Sequence, residues 1–223
     1  MVQWPFRRGG RQGGPWGLEG LAAPWEGDRQ SILDWIAAHD PDDELGTLPD
    51  EIRVIASNEG LKFAPGVFDQ MMHIHEDPSG GDEHAGAVQR AMKRLAAAST
   101  DRNLRAFYDT VIQHPVRDTV DPLMARVIGD PSLDFGRARE IGRWLAHEAP
   151  DRDAVKLGIV ILHATRCSSE VDTLITLARH EEFGAYAVPA IAELAPNPQR
   201  LIFELAKRQK WWGKVYLVQH LAG

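Results

Sequence analysis

Leu145-Ala146-His147-Glu148, Leu177-Ala178-Arg179-His180 and Leu205-Ala206-Lys207-Arg208 lie 32 and then 28 residues apart. Each is followed by an apolar stretch that ends on a leucine, over 155–162, 187–194 and 215–221. Leu-Ala closes a first helix each time, a short turn follows, and a second helix begins. Two helices in so short a unit cannot bury an apolar stripe alone, so neighbouring units must stack to share a core. Helix-start residues fall where this requires them: Asp134, Ser168 or Ser169, and Asn197 ahead of Pro198. Their side-chain oxygens can accept from the first unpaired amides of a helix, and proline is suited to the first helical position. The expected fold is all-α, a HEAT-like α-α superhelix or solenoid of antiparallel helix pairs, clearest over 134–223. An ordinary helical bundle with accidental similarity is the alternative.

Upstream, every strong periodic segment repeats near 3.6 residues, and no alternating β-branched run with a hairpin turn occurs. Residues 1–27 hold Trp4, Pro5, Trp16, Pro24 and Trp25 among glycines. Glycine makes such a segment costly to order, so an irregular or disordered arm is expected, with tryptophans able to dock on the body. Residues 28–133 read as an acidic helical region, and 28–223 as one continuous body. Asp28 is expected to cap a helix to about residue 39. Pro49 and Asp50 open a second through Ile52, Ile55 and Ala56, and Pro65 a third through Val67, Phe68, Met71 and Met72. Pro78-Ser79-Gly80-Gly81 reads as a break. Helices over 83–98 and 101–114 follow, then a short one capped by Thr119.

The chain has 223 residues, 43% of them hydrophobic, and a net charge of −7. That length can bury one sizeable core. The acidic balance argues against a general nucleic-acid or anionic-membrane binder. Cys167 is the single cysteine, so no internal disulfide can form. No run of 18 apolar residues exists, so no membrane span is expected. Arg7 and Arg8 are followed by glycines where a signal peptide needs an apolar stretch, so the expected compartment is cytoplasmic. Charge is uneven: net −9 over 28–133 and +4 over 197–223. The two zones suit different partners, or one chain's end on another's middle.

Residues 62–69 (Lys-Phe-Ala-Pro-Gly-Val-Phe-Asp), Trp144-Leu145-Ala146 leading to 155–159, Arg179-His180-Glu181-Glu182-Phe183, and 204–208 leading to 212–215 resemble a family of uncharacterised bacterial HEAT-like proteins. The resemblance covers about 60–223 and implies the fold. It also implies further chain beyond the last helix, since those relatives look longer. Some relatives carry a terpene-hydroxylase description, chemistry that needs haem, flavin or non-haem iron. No dinucleotide fingerprint or haem-thiolate context surrounds Cys167, so no cofactor is expected.

His73-Ile74-His75-Glu76-Asp77 resembles a metallo-hydrolase metal loop, but Pro78 stands where the last histidine belongs. Side chains two apart on a helix point away from each other and cannot share an ion, so a polar helix end is the ordinary reading. His180-Glu181-Glu182 and His147-Glu148 recur at equivalent turns without completing His-Glu-x-x-His. They suit helix-end capping, or a binding ridge. Trp211-Trp212-Gly213 falls in the last turn among Lys207, Arg208, Lys210 and Lys214, an aromatic and cationic contact patch. Cys167 has no assignable base or orienter and reads as core. No catalytic or metal residue is assigned.

The expected function is a non-enzymatic interaction scaffold for a protein partner or a second copy. Its candidate binding residues are Arg179, His180, Glu181, Lys207, Lys210, Trp211, Trp212 and Lys214. One alternative is a HEAT-like enzyme acting on nucleic acid, similar to alkylpurine DNA glycosylases, using Phe203 with the same tryptophans and lysines. A second is a metal-dependent hydrolase built on His73 and His75.

Overall fold

The computed structural model describes residues 17–40, 45–50, 78–209 and 211–221. Among these, all regular structure is helical. The α-helices are α1 (Ile32–Ala37), α2 (Pro78–Ala97), α3 (Asp101–Val111), α4 (Val120–Gly129), α5 (Phe135–Glu148), α6 (Arg152–Ala164), α7 (Val171–Leu177), α8 (Glu181–Leu194), α9 (Pro198–Arg208) and α10 (Trp211–Gln219). None of the described helices is long and apolar enough to cross a membrane. The expected helices near 52–56 and 67–72 and the His73–His75 stretch lie outside the described residues, as do 1–16.

Several helix starts differ from expectation, each for a local reason. Asp28 does not open α1; Ser31 does, its hydroxyl accepting from the Asp34 amide at 3.1 Å. The Pro78–Gly81 stretch is no break but the first turn of α2. Proline has no amide to leave unpaired there, and Gly81 lets the backbone of Asp118 lie against the helix where any Cβ would collide with its carbonyl oxygen. Thr119 does not cap α4; its hydroxyl donates back to the Val116 carbonyl at 2.8 Å, closing a 3-10 turn over Val116–Thr119. Ser168 and Ser169 likewise sit within a 3-10 turn, Ser168–Glu170, and cap nothing. Asn197 precedes α9 without a side-chain bond, and Pro198 makes the start. Asp134 caps α5 as expected, accepting from the Arg137 amide at 3.1 Å. Trp211 and Trp212 belong to the first turn of α10 rather than to the turn before it.

α5 packs along α6, α7 along α8 and α9 along α10. Across these pairs, α4 packs on α6, α6 on α8 and α8 on α10. α2 packs on α3, α4 and α5. One contiguous core results, running from Val88, Met92 and Phe107 through Ile141, Leu145 and Ile161 to Leu174, Val188, Ile202 and Leu217, all buried.

Two close approaches set how the pairs fit. Gly142 and Gly158 face each other where α5 crosses α6; a Cβ on Gly158 would stand 2.7 Å from the Ala146 amide nitrogen and 2.9 Å from the Gly142 carbonyl oxygen. Within α8, Pro189 has no amide to give the carbonyl of Ala185 four residues back. The Tyr216 hydroxyl of α10 donates to that carbonyl at 3.2 Å. A defect in one helix is thus the socket for the next, and burial pushes the Tyr216 phenol up to about 12.

Candidate binding faces

Residues 17–40 and 45–50 lie as a strap across the helix pairs. Trp25 stacks on Trp144 with ring centroids 5.6 Å apart and leans on Tyr108 at 5.3 Å. The Arg29 guanidinium forks onto both oxygens of Asp151, at 2.9 and 2.7 Å. The Tyr108 hydroxyl donates to the same carboxylate at 2.6 Å. Arg–carboxylate forks of this kind combine charge with fixed geometry. The amide of Ile32 then donates to the Ala149 carbonyl at 3.1 Å, and α1 packs on both α5 and α7. Ile32, Ile36 and Leu48 are fully buried, each contributing roughly 1.5–3 kcal/mol.

Two of the expected binding residues hold this strap. Arg179 donates to the carbonyls of His39 at 3.0 Å and Asp40 at 2.7 Å. His180 accepts from the Glu182 amide on Nδ1, which places the ring proton on Nε2, and Nε2 donates to the Gly46 carbonyl at 2.9 Å. A turn histidine therefore both caps α8 and grips a neighbouring strand of chain. Both residues reach main-chain oxygens, and the His180 ring also meets the edge of Trp35, with centroids 6.3 Å apart. Asp50 ends the strap by accepting from the Arg152 amide at 3.0 Å and from its guanidinium at 2.9 Å.

The remaining candidates do not share that place. Lys207 is exposed on α9 and Lys214 on α10. Lys210 and the side chains of Trp211 and Trp212 lie outside the described residues. Glu181 adjoins α10, since a Cβ on Gly213 would stand 2.9 Å from its Cγ. Along α9, Arg200, Phe203 and Lys207 form one exposed stripe, with the Lys207 ammonium 5.8 Å from the Phe203 ring centre. On α10, Leu217 is buried while Val215 and Val218 are 47% and 49% exposed. The apolar face expected on this helix is therefore split, half of it against α8 and half open.

Charged groups that the sequence did not single out lie inside. Lys156 is 4% exposed and pairs with Glu182 at 2.5 Å, above the Tyr186 ring. A lysine inside the apolar stretch 155–162 was the available signal: such a charge requires a buried anion. Glu170 accepts from Arg143 at 2.7 Å, His147 at 2.8 Å and the Thr173 hydroxyl at 2.8 Å. Burial opposes its ionisation, and these bonds outweigh burial, holding the carboxyl at about 2.

None of these clusters makes a nucleophile. Cys167 is 5% exposed because α6 ends in a left-handed turn: Arg166 has φ 53°, and the Cys167 amide donates back to Leu162 at 2.9 Å. That motif buries an apolar side chain at this position. Among the described residues no three His, Cys, Asp or Glu side chains are placed to hold a metal ion. A groove of 460 Å³ beside α2 and α4 is lined by residues that bind one another, Arg126 with Asp82 and Gln89 with Asp130.

No family model, curated protein or solved structure matches the chain.

Proposed function

We propose that this chain is a non-enzymatic scaffold that binds other protein chains in the bacterial cytoplasm, on a HEAT-like stack of helix pairs. The observation that carries the reading is the strap. The α7–α8 turn holds a stretch of backbone by its carbonyls, through Arg179 and His180. Main-chain hydrogen bonds of this kind supply affinity for a segment of chain, and the side chains seated beside them supply selectivity. The succession α4, α6, α8, α10, each packed on the next, supports the stacked arrangement. The exposed stripe of Arg200, Phe203 and Lys207 offers a second contact surface of the aromatic and cationic kind that dominates interfaces.

The buried ion pairs tie helices together, and the Cys167 thiol lies 3.4 Å from the Ser169 hydroxyl. For nucleic acid, the net charge of −7 opposes the phosphate neutralisation that drives such binding.

Affinity capture of the tagged full chain from its native cells tests the proposal. The expected result is a stoichiometric protein partner that is weakened by salt and lost in Phe203→Asp. Recovery of nothing, together with a strictly monomeric purified protein, overturns it.

A further inference from the structure

Building on the interaction reading above, we infer that the outer face of α9 and α10 docks an acidic amphipathic helix of another protein. Its apolar stripe lies on Phe203, Val215 and Val218, and its carboxylates meet Arg200, Lys207 and Lys214.

α9 and α10 pack on each other, and both pack on α8. Each helix turns one side inward: Ile202, Leu205 and Ala206 on α9, and Gly213 and Leu217 on α10, all buried. At about 3.6 residues per turn, Arg200, Phe203 and Lys207 fall on the opposite side of α9, and Val215 and Val218 on the opposite side of α10. All five are exposed, as is Lys214 one turn before Val218. The Tyr216 hydroxyl on the Ala185 carbonyl of α8 fixes which way α10 is turned. Two helices laid side by side on a third present their outer sides as one surface, with a groove between them.

That surface carries cations without exposed acids. Glu204 is the one carboxylate side chain of α9 and α10, and it is half-buried and tied to Lys207 at 3.2 Å. The acids of α8 face elsewhere: Glu182 is buried on Lys156, and Glu193 turns to His163 and Arg166 at 3.3 and 3.2 Å. Neither Arg200 nor Lys214 has an ion-pair partner among the described residues. Such a surface attracts carboxylates and repels a basic segment.

The apolar part selects a protein. Phe203, Val215 and Val218 are each about half exposed. Bases stack on aromatic rings, and the two valines offer them nothing. The net charge of −7 opposes approach to an anionic membrane. Val215 and Val218, and Lys214 and Val218, are spaced three and four residues apart, the ridges on which another helix packs. α6, α8 and α10 already meet one another in succession, each across its side, and a helix from a partner would lie on α10 in the same manner.

The test is fluorescence polarisation of the full chain with a labelled helix-forming peptide of about 18 residues, leucine on one stripe and glutamate elsewhere. Binding is expected with a Kd on the order of 10–100 μM at low salt, weakening as salt is raised. Phe203→Asp and Val218→Asp should each weaken it about tenfold or more. The same peptide with lysine for glutamate should not bind the wild type. Lys207→Glu with Lys214→Glu should lose the glutamate peptide and gain the lysine peptide, which a folding defect could not imitate. No binding of the glutamate peptide up to about 1 mM overturns the inference, as does equal binding of the two peptides. Binding of a single-stranded oligonucleotide or of anionic lipid vesicles in place of the peptide overturns it too. If the peptide fails while a protein captured from cells is still lost in Phe203→Asp, the scaffold reading stands and the acidic helix is wrong.

Discussion

Gly158→Ala adds one methyl group at the tightest crossing of α5 and α6. In an exposed helix interior the same change would stabilise by about 1 kcal/mol, because glycine is the poorer helix former. Here the new Cβ would stand 2.7 Å from the Ala146 nitrogen, 2.9 Å from the Gly142 oxygen and 3.0 Å from the Leu145 Cβ. Ordinary contact begins at 3.4 Å, so the first of these falls 0.7 Å short. Two of the three atoms are backbone and the third is fixed to it, so none can rotate away. α5 has to move, and forced overpacking of this kind costs about 1–3 kcal/mol. With no atom free to yield, the cost falls in the upper part of that range, about 2–3 kcal/mol; set against about 1 kcal/mol of helix preference, the expected net loss is about 1–2 kcal/mol, or roughly 2–8 °C in Tm for a chain of this size. Gly86→Ala on α2 is the control. Its Cβ would meet the flexible ends of Arg90 at 3.3 Å and Arg126 at 3.7 Å, which can yield, so that variant should gain up to about 1 kcal/mol. Urea unfolding followed by circular dichroism, with unchanged m-values, separates the two. A Gly158→Ala protein as stable as the wild type would refute the close crossing, and with it the way this pair is built.

Three further outcomes follow from single contacts. Tyr216→Phe leaves the Ala185 carbonyl without its donor and should cost about 1–2 kcal/mol, whereas Tyr216→Phe placed on a Pro189→Ala background should cost less, because the restored amide can fill the carbonyl; a double-mutant cycle measures this. The Glu170 carboxyl sits at about 2 against an ordinary 4.5, so its contribution, on the order of 3 kcal/mol, is present above pH 4.5 and is lost as pH falls towards 2; unfolding across that range should be steeper with pH in the wild type than in Glu170→Gln. Arg29→Ala removes the fork onto Asp151 and should speed proteolytic cleavage within 17–31 without changing helix content, read by limited proteolysis and mass spectrometry.

The helix pairs after residue 134 were legible because their signals are local. Asp134 caps through its own side chain, and the apolar spacing of 155–162 and 187–194 falls inside α6 and α8. The Pro78–Gly81 turn misled because proline and glycine usually interrupt helices, and only the approach of Asp118 from another part of the chain explains the glycine. The strap was illegible for the same reason in stronger form. Arg29 finds Asp151, and Arg179 finds His39, across 122 and 140 positions, and no window of sequence carries such a pairing. His180 was singled out as a turn residue, and its spacing from Glu182 was visible; what its other nitrogen would grip was not.

That separation has a bearing on how the molecule is made. Ile32 and Ile36 leave the ribosome early, and their seats on α5 and α7 are completed only by residues as late as Leu177. At about 5–20 residues per second, the 140 positions between His39 and Arg179 take roughly 7–28 s to synthesise. Throughout that interval the greasy side of α1 has no home. Seating the strap is then a late event in biogenesis, and a nascent chain stalled before residue 180 should be the form that chaperones hold and proteases find.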